Sequence, residues 1–216
     1  MKYFICALML ALSTGMQAKF LKAKVYYTNG TQTEGFAKLV ECPDRKVSFR
    51  KELDGDTEKI KSDELDKIEY TTEDGDKYVA ERMKHWSFDL LSFGFDYSKS
   101  KKWFYFIYEK ANIKVYTIET MTRSTFINSG YVTSFGDVTF FFKKKGDEVI
   151  YWGLKESKAA ATVHIGRGGM IKKMLAEMFK GKCKSADEDV DKIEYNYRSH
   201  KDYLKIVDII IKYKCK

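Results

Sequence analysis

Three turn signals, Asn29-Gly30, Asp54-Gly55 and Asp74-Gly75, fall between short segments of alternating apolar and polar side chains. Such pairs supply the backbone conformations that tight hairpins need. They restrict the first part of the chain to short antiparallel strands. Val25-Tyr26-Tyr27-Thr28 runs into the first turn, and Gly35-Phe36-Ala37-Lys38-Leu39-Val40 returns from it. Cys42-Pro43-Asp44 turns the chain into Lys46-Val47-Ser48-Phe49-Arg50, and Asp54-Gly55 sends it back through Glu58-Lys59-Ile60. Ser62-Asp63-Glu64-Leu65 reads as one helical turn. Ile68-Glu69-Tyr70 then starts a strand that Asp74-Gly75 folds onto Lys77-Tyr78-Val79-Ala80.

This order resembles an Sm-like small barrel over residues 24–70, an arrangement that is more often used for binding than for catalysis. Beyond it, His85 to Phe95 is aromatic and reads as irregular, and Tyr97 to Lys102 is polar and basic. Trp103 to Tyr108 and Ile113 to Ile118 form one expected hairpin, and Val138 to Phe142 with Val149 to Trp152 form a second. Their near-continuous apolar runs require burial on both faces, or a cover of helices on one. The period then changes. Met170-Ile171, Met174-Leu175 and Met178-Phe179 recur at helical spacing. Packing on the sheet accounts for this stripe, with a membrane-surface helix as the alternative. A short helix is expected over Asp187 to Ile193, and a last one capped by Ser199 with Tyr203, Val207 and Ile210 on its buried side. The expected class is α+β: mainly antiparallel β, as a small barrel plus a second β-sheet, with two or three C-terminal helices. The expected units are 19–84, 85–165 and a helical tail at 166–216.

Residues 1–18 carry the order of a secretory signal peptide. Lys2 precedes the apolar run Tyr3 to Leu12, Ser13-Thr14-Gly15 breaks it, and Ala18 offers a small residue for cleavage. The run is shorter than the roughly 20 apolar residues of a membrane span. The expected destination is therefore the periplasm or the exterior, with a mature segment from Lys19 to Lys216. Cleavage removes Cys6 and leaves Cys42, Cys183 and Cys215. Cys183 and Cys215 flank one helical region and are the expected pair. Three free thiols are the alternative.

The formal net charge of +8 arises from 39 basic and 31 acidic residues. That moderate bias favours anionic surfaces such as lipid headgroups or polysaccharide. Export and the lack of an arginine-rich stripe argue against nucleic acid. His85, His164 and His200 stand far apart and form no zinc motif, and no C-x-x-C or G-x-S-x-G occurs. Gly166-Arg167-Gly168-Gly169 lacks the Lys-Ser/Thr of a phosphate loop and reads as a connector. Asp187, Asp189 and Asp191 alternate as in a calcium loop, but Lys192 and Arg198 replace its Gly and Glu. No metal, cofactor or catalytic residue is assigned.

The signal, the run Ala23 to Gly35, the segment Ser62 to Ile68, the strand Asn112 to Tyr116 and the helical end at Phe179 to Cys183 occur in that order. In this the chain resembles a recurring group of exported proteins of Bacteroidetes bacteria, which carries no established activity. The resemblance implies compartment and layout rather than chemistry. The expected function is a non-enzymatic binding or interaction module. The alternatives are a hydrolase of an envelope or dietary polymer and an accessory subunit of an envelope complex. The candidate binding residues are Trp86, Phe88, Phe93 and Phe95 beside Lys101 and Lys102. If exposed, they would suit an envelope protein, polysaccharide or anionic membrane surface. A loop tucked against the sheet is the alternative.

Overall fold

The computed structural model describes residues 20–89, 94–118, 124–127, 130–133, 138–156, 167–195 and 201–215. The expected signal at 1–18, Phe93, His164, Gly166, Ser199 and His200 lie outside the described residues. Strands β1 (Phe20–Tyr27) and β2 (Gln32–Lys38) pair antiparallel across Asn29-Gly30, where Gly30 takes φ 84°. The Asn29 side chain closes this turn by accepting from Thr31 N at 2.9 Å. β3 (Lys46–Arg50) and β4 (Glu58–Lys61) form the next hairpin. A 3-10 turn at Ser62–Glu64 leads into β5 (Leu65–Thr71), which returns to pair with β1. The five strands follow the order expected over 24–70, as the path β5-β1-β2-β3-β4. Gly35 is required here for space: a Cβ would stand 2.3 Å from the Arg50 carbonyl oxygen and 2.5 Å from the Phe49 ring.

β6 (Lys77–Asp89) is the longest strand, at 13 residues. The expectation that the chain becomes irregular from His85 is corrected. Trp86 to Asp89 stay in β6 and pair with β7 (Gly94–Tyr97). Strand geometry holds because Phe95 covers both Trp86 and Phe88 across the pair. β8 (Lys102–Lys110) continues along the same edge of β6 and turns through Ala111 into β9 (Ile113–Thr117). β10 (Ser124–Ile127) and β11 (Gly130–Thr133) form a separate two-stranded sheet. β12 (Val138–Lys144) and β13 (Val149–Glu156) form the last hairpin.

One 11-stranded sheet holds all strands except β10 and β11, in the order β13-β12-β9-β8-β6-β5-β1-β2-β3-β4, with β7 on β6. The position between residues 84 and 85 falls inside β6. All pairs are antiparallel except β13 with β6, where Val149 meets Lys84 and Tyr151 meets Trp86. That contact closes β6, β8, β9, β12 and β13 into a ring of five strands.

The ring explains the apolar runs. Each of its strands sends one fully or nearly buried residue into a shared cluster: Met83, Phe104, Tyr116, Phe141 and Ile150. The alternate residues Val115, Phe140, Phe142 and Leu154 face the helices. Trp103 and Tyr105 of β8 join Val25, Phe49, Leu65, Ile68 and Tyr70 in the core of the first five strands. Helix α1 (Arg167–Met178) lays Ile171, Met174, Leu175 and Met178 on the sheet, and α3 (Asp202–Lys212) adds Tyr203, Ile206, Val207 and Ile210. α2 (Asp187–Asp191) is a short link between them. The residue at the start of α3 is Lys201, whose side chain makes no cap hydrogen bond.

Cys183 and Cys215 form a disulfide across 32 residues, with Cα atoms 5.0 Å apart. It ties the chain after α1 to the chain after α3, and both cysteines are buried. In the chain-entropy account a loop of this length contributes about 3–4 kcal/mol. Reduction, or Cys215→Ser, is expected to lower the urea-unfolding free energy by that order. Gly35→Ala is expected to cost about 1–3 kcal/mol through overpacking against Phe49. Urea titration of both variants checks the two values.

Candidate functional site

The residues singled out in the sequence separate into two places. Trp86 is buried and stacks on Phe95, with ring centroids 4.3 Å apart and planes 12° apart. Phe88 meets Phe95 edge-on at 5.4 Å, and both are half-buried. Lys173 of α1 holds its ammonium 5.6 Å from the Phe95 ring centroid. These aromatic rings thus pack chiefly on one another and on α1. Lys101 is exposed and reaches Asp66 Oδ1 at 3.5 Å, while Lys102 is half-buried beside His85. Lys101 belongs to a cleft on a different part of the molecule.

An open groove of about 740 Å³ lies along the outward face of β1, β2 and β3. Register builds it. Phe20 faces Lys38, Lys22 faces Phe36, and Phe36 faces Arg50 on the neighbouring strand. Rings and cations therefore alternate both along and across the strands. The Arg50 guanidinium carbon is 4.1 Å from the Phe20 ring centroid, and Lys38 Nζ is 5.3 Å from it. This geometry gives cation–π attraction and orients the guanidinium. Arg50 Nε donates to Thr57 Oγ1 at 2.7 Å and Nη1 to the Leu53 carbonyl at 2.9 Å. Lys59 donates to Ser48 Oγ at 2.6 Å. Among the described residues none of Lys22, Lys38, Arg50 and Lys59 is ion-paired, although Asp54 and Glu73 also line the groove. The sequence carried a signal for this site: Phe-x-Lys at 20–22 and again at 36–38, both at outward positions.

A second cleft, about 610 Å³, opens beside β6 where that strand changes partners. β5 pairs with it as far as Glu81, and β13 takes the same role from Lys84. Tyr26 and Lys67 stand on one wall, Lys143 and Asp147 on the other, and Glu81 and Met83 come from β6. Tyr116 donates its hydroxyl to Glu81 Oε2 at 3.1 Å. Lys67 donates to Glu69 Oε1 at 2.8 Å, and Tyr26 donates to Glu69 Oε2 at 2.9 Å. Close by, the buried Arg82 pairs with Asp63 at 2.8 Å and donates to the Lys101 carbonyl at 2.7 Å. This second cleft could not be read from spacing, because strand register assembles it.

No group of three His, Cys, Asp or Glu side chains suited to a metal occurs among the described residues. No described helix is long and apolar enough to cross a membrane. Comparison with protein-family models, curated proteins and solved structures found no match.

His85 sits against Phe104 and Phe141, with centroids at 5.7 and 6.3 Å, and its Nδ1 is buried without a hydrogen-bond partner. Burial, followed by the charge of Lys102, lowers its pKa from 6.5 to about 4. The folded chain therefore keeps this ring neutral, while the unfolded chain protonates it below 6.5. Its contribution to stability is complete above pH 6.5 and is lost as pH falls towards about 4. Urea unfolding at pH 7 and pH 5 is expected to show a smaller loss for His85→Gln than for the unchanged chain. An equal loss would refute this account.

Proposed function

We propose that this chain is exported and acts as a non-enzymatic binding module, and that the groove on β1, β2 and β3 takes an acidic polysaccharide. One observation carries the reading. Lys22, Lys38, Arg50 and Lys59 surround Phe20 and Phe36 in an open groove, and none has a carboxylate partner among the described residues. Cations left without acidic partners favour an anionic ligand. Rings beside them offer apolar surface to the faces of sugar rings. An extended polymer suits a groove that is open along its length. The signal-like residues 1–18 and the Cys183–Cys215 disulfide support a destination in the periplasm or outside the cell.

Polygalacturonate is the probe of choice, with neutral dextran and anionic phospholipid vesicles as controls. The chain is expected to bind polygalacturonate, to release it as salt rises, and to ignore dextran. Arg50→Gln combined with Lys38→Gln is expected to weaken binding by roughly a hundredfold or more, since each lost charge-assisted contact is worth about 1.5–3 kcal/mol. Binding to vesicles alone, or binding unchanged in the double variant, would overturn the reading. Intact-mass analysis of the chain recovered from the periplasm is expected to show a mature terminus at Lys19.

A further inference from the structure

We propose that the cleft beside β6 is a second binding site, for a small ligand bearing a carboxylate, sulfate or phosphate group, with Lys143 as its anchor. This goes beyond the polymer groove and does not depend on it. Lys143 lies on β12 and shares its strand face with Phe141, which belongs to the cluster inside the ring. Its side chain therefore stands at the mouth of the ring, above Met83. Among the described residues its only hydrogen-bond acceptor is Met83 Sδ, at 3.3 Å. A thioether is a weak acceptor, so the half-buried ammonium keeps donor capacity for a ligand. Such groups ordinarily find an oxygen partner.

The cations around Lys143 favour an anionic ligand, although Glu148 also lines the cleft. Lys101 and Lys114 are close enough to repel the Lys143 charge, and Lys84 lines the same cleft without an ion pair. Glu81 and Asp147 attract the ammonium, but neither forms an ion pair with it. Glu81 accepts from Tyr116, and Asp147 faces Lys144 at 3.9 Å. Lys67, Lys101 and Arg82 already have the carboxylates Glu69, Asp66 and Asp63. Lys143 and Lys84 are thus the cations that the cleft offers to a ligand. At about 610 Å³ the space is within the range of small-molecule sites. Burial and the neighbouring cations also lower the Lys143 pKa, which increases the share of reactive neutral amine.

Lysine labelling tests this on the unchanged chain. Pyridoxal phosphate and pyridoxal each form an imine, the lysine Nζ adding to the aldehyde carbon with loss of water. Borohydride then reduces the C=N bond to a stable amine that peptide mass analysis locates. Lys143 is expected to be labelled roughly tenfold faster by pyridoxal phosphate than by pyridoxal, the ratio that about 1.4 kcal/mol of anion binding provides. Inorganic phosphate, sulfate and acetate, tested separately, identify the preferred anion by the protection each gives. Lys84→Gln is expected to reduce the preference, whereas Arg50→Gln leaves it unchanged. Equal labelling by the two aldehydes, no protection by any of the anions, or a Lys143 rate no higher than that of exposed Lys46 would each overturn the proposal. Loss of polygalacturonate binding in Arg50→Gln with Lys143 labelling intact separates the two sites.

Discussion

The backbone of β6 must find hydrogen-bond partners along both edges for 13 residues, and the rest of the structure depends on how it does so. One edge is met by β8 and then β7, which approach it in nearly continuous antiparallel register. The other edge is met by β5 as far as Glu81 and by β13 from Lys84. The first five strands and the later hairpins are therefore joined through one strand. The changeover leaves a gap at Arg82 and Met83, and the second cleft opens at that gap. Parallel pairing with β13 also closes the ring, which gives the inward rings of β8, β9 and β12 a place away from water.

Burial on two sides then follows. Phe140, Phe141 and Phe142 are consecutive, yet all are nearly or fully buried. Phe141 enters the ring cluster, while Phe140 and Phe142 meet the helices. Without α1 and α3 the outer face of β12 would be an exposed apolar surface. The Cys183–Cys215 bridge holds the ends of these helices together, so a tail of short elements stays on the sheet. Short helices gain little stability from their own hydrogen bonds and depend on such packing.

The polar surface is organised by register in the same way. Phe20, Lys38, Lys22, Phe36 and Arg50 become neighbours because β1, β2 and β3 align them. Arg50 is further held by Thr57 and the Leu53 carbonyl, from the turn that follows its own strand. This fixes the guanidinium over the Phe20 ring. The cleft at Lys143 arises from a different cause, the divergence of two strands from a common edge.

Local patterns in the sequence determined the strands and turns between residues 24 and 80, the two later hairpins, and the helical tail. Asn29-Gly30, the alternating residues and the Met170 to Phe179 stripe are short-range signals, and backbone sterics make them legible. Sequence alone misread His85 to Asp89, because an aromatic run looks irregular unless the covering strand is known. Tertiary structure alone decided that Trp86 is buried against Phe95 and that β13 pairs parallel to β6. It also decided that Lys143 ends beside a thioether at a ring mouth. These outcomes depend on contacts between residues tens of positions apart, whose register and partner choice no local period encodes.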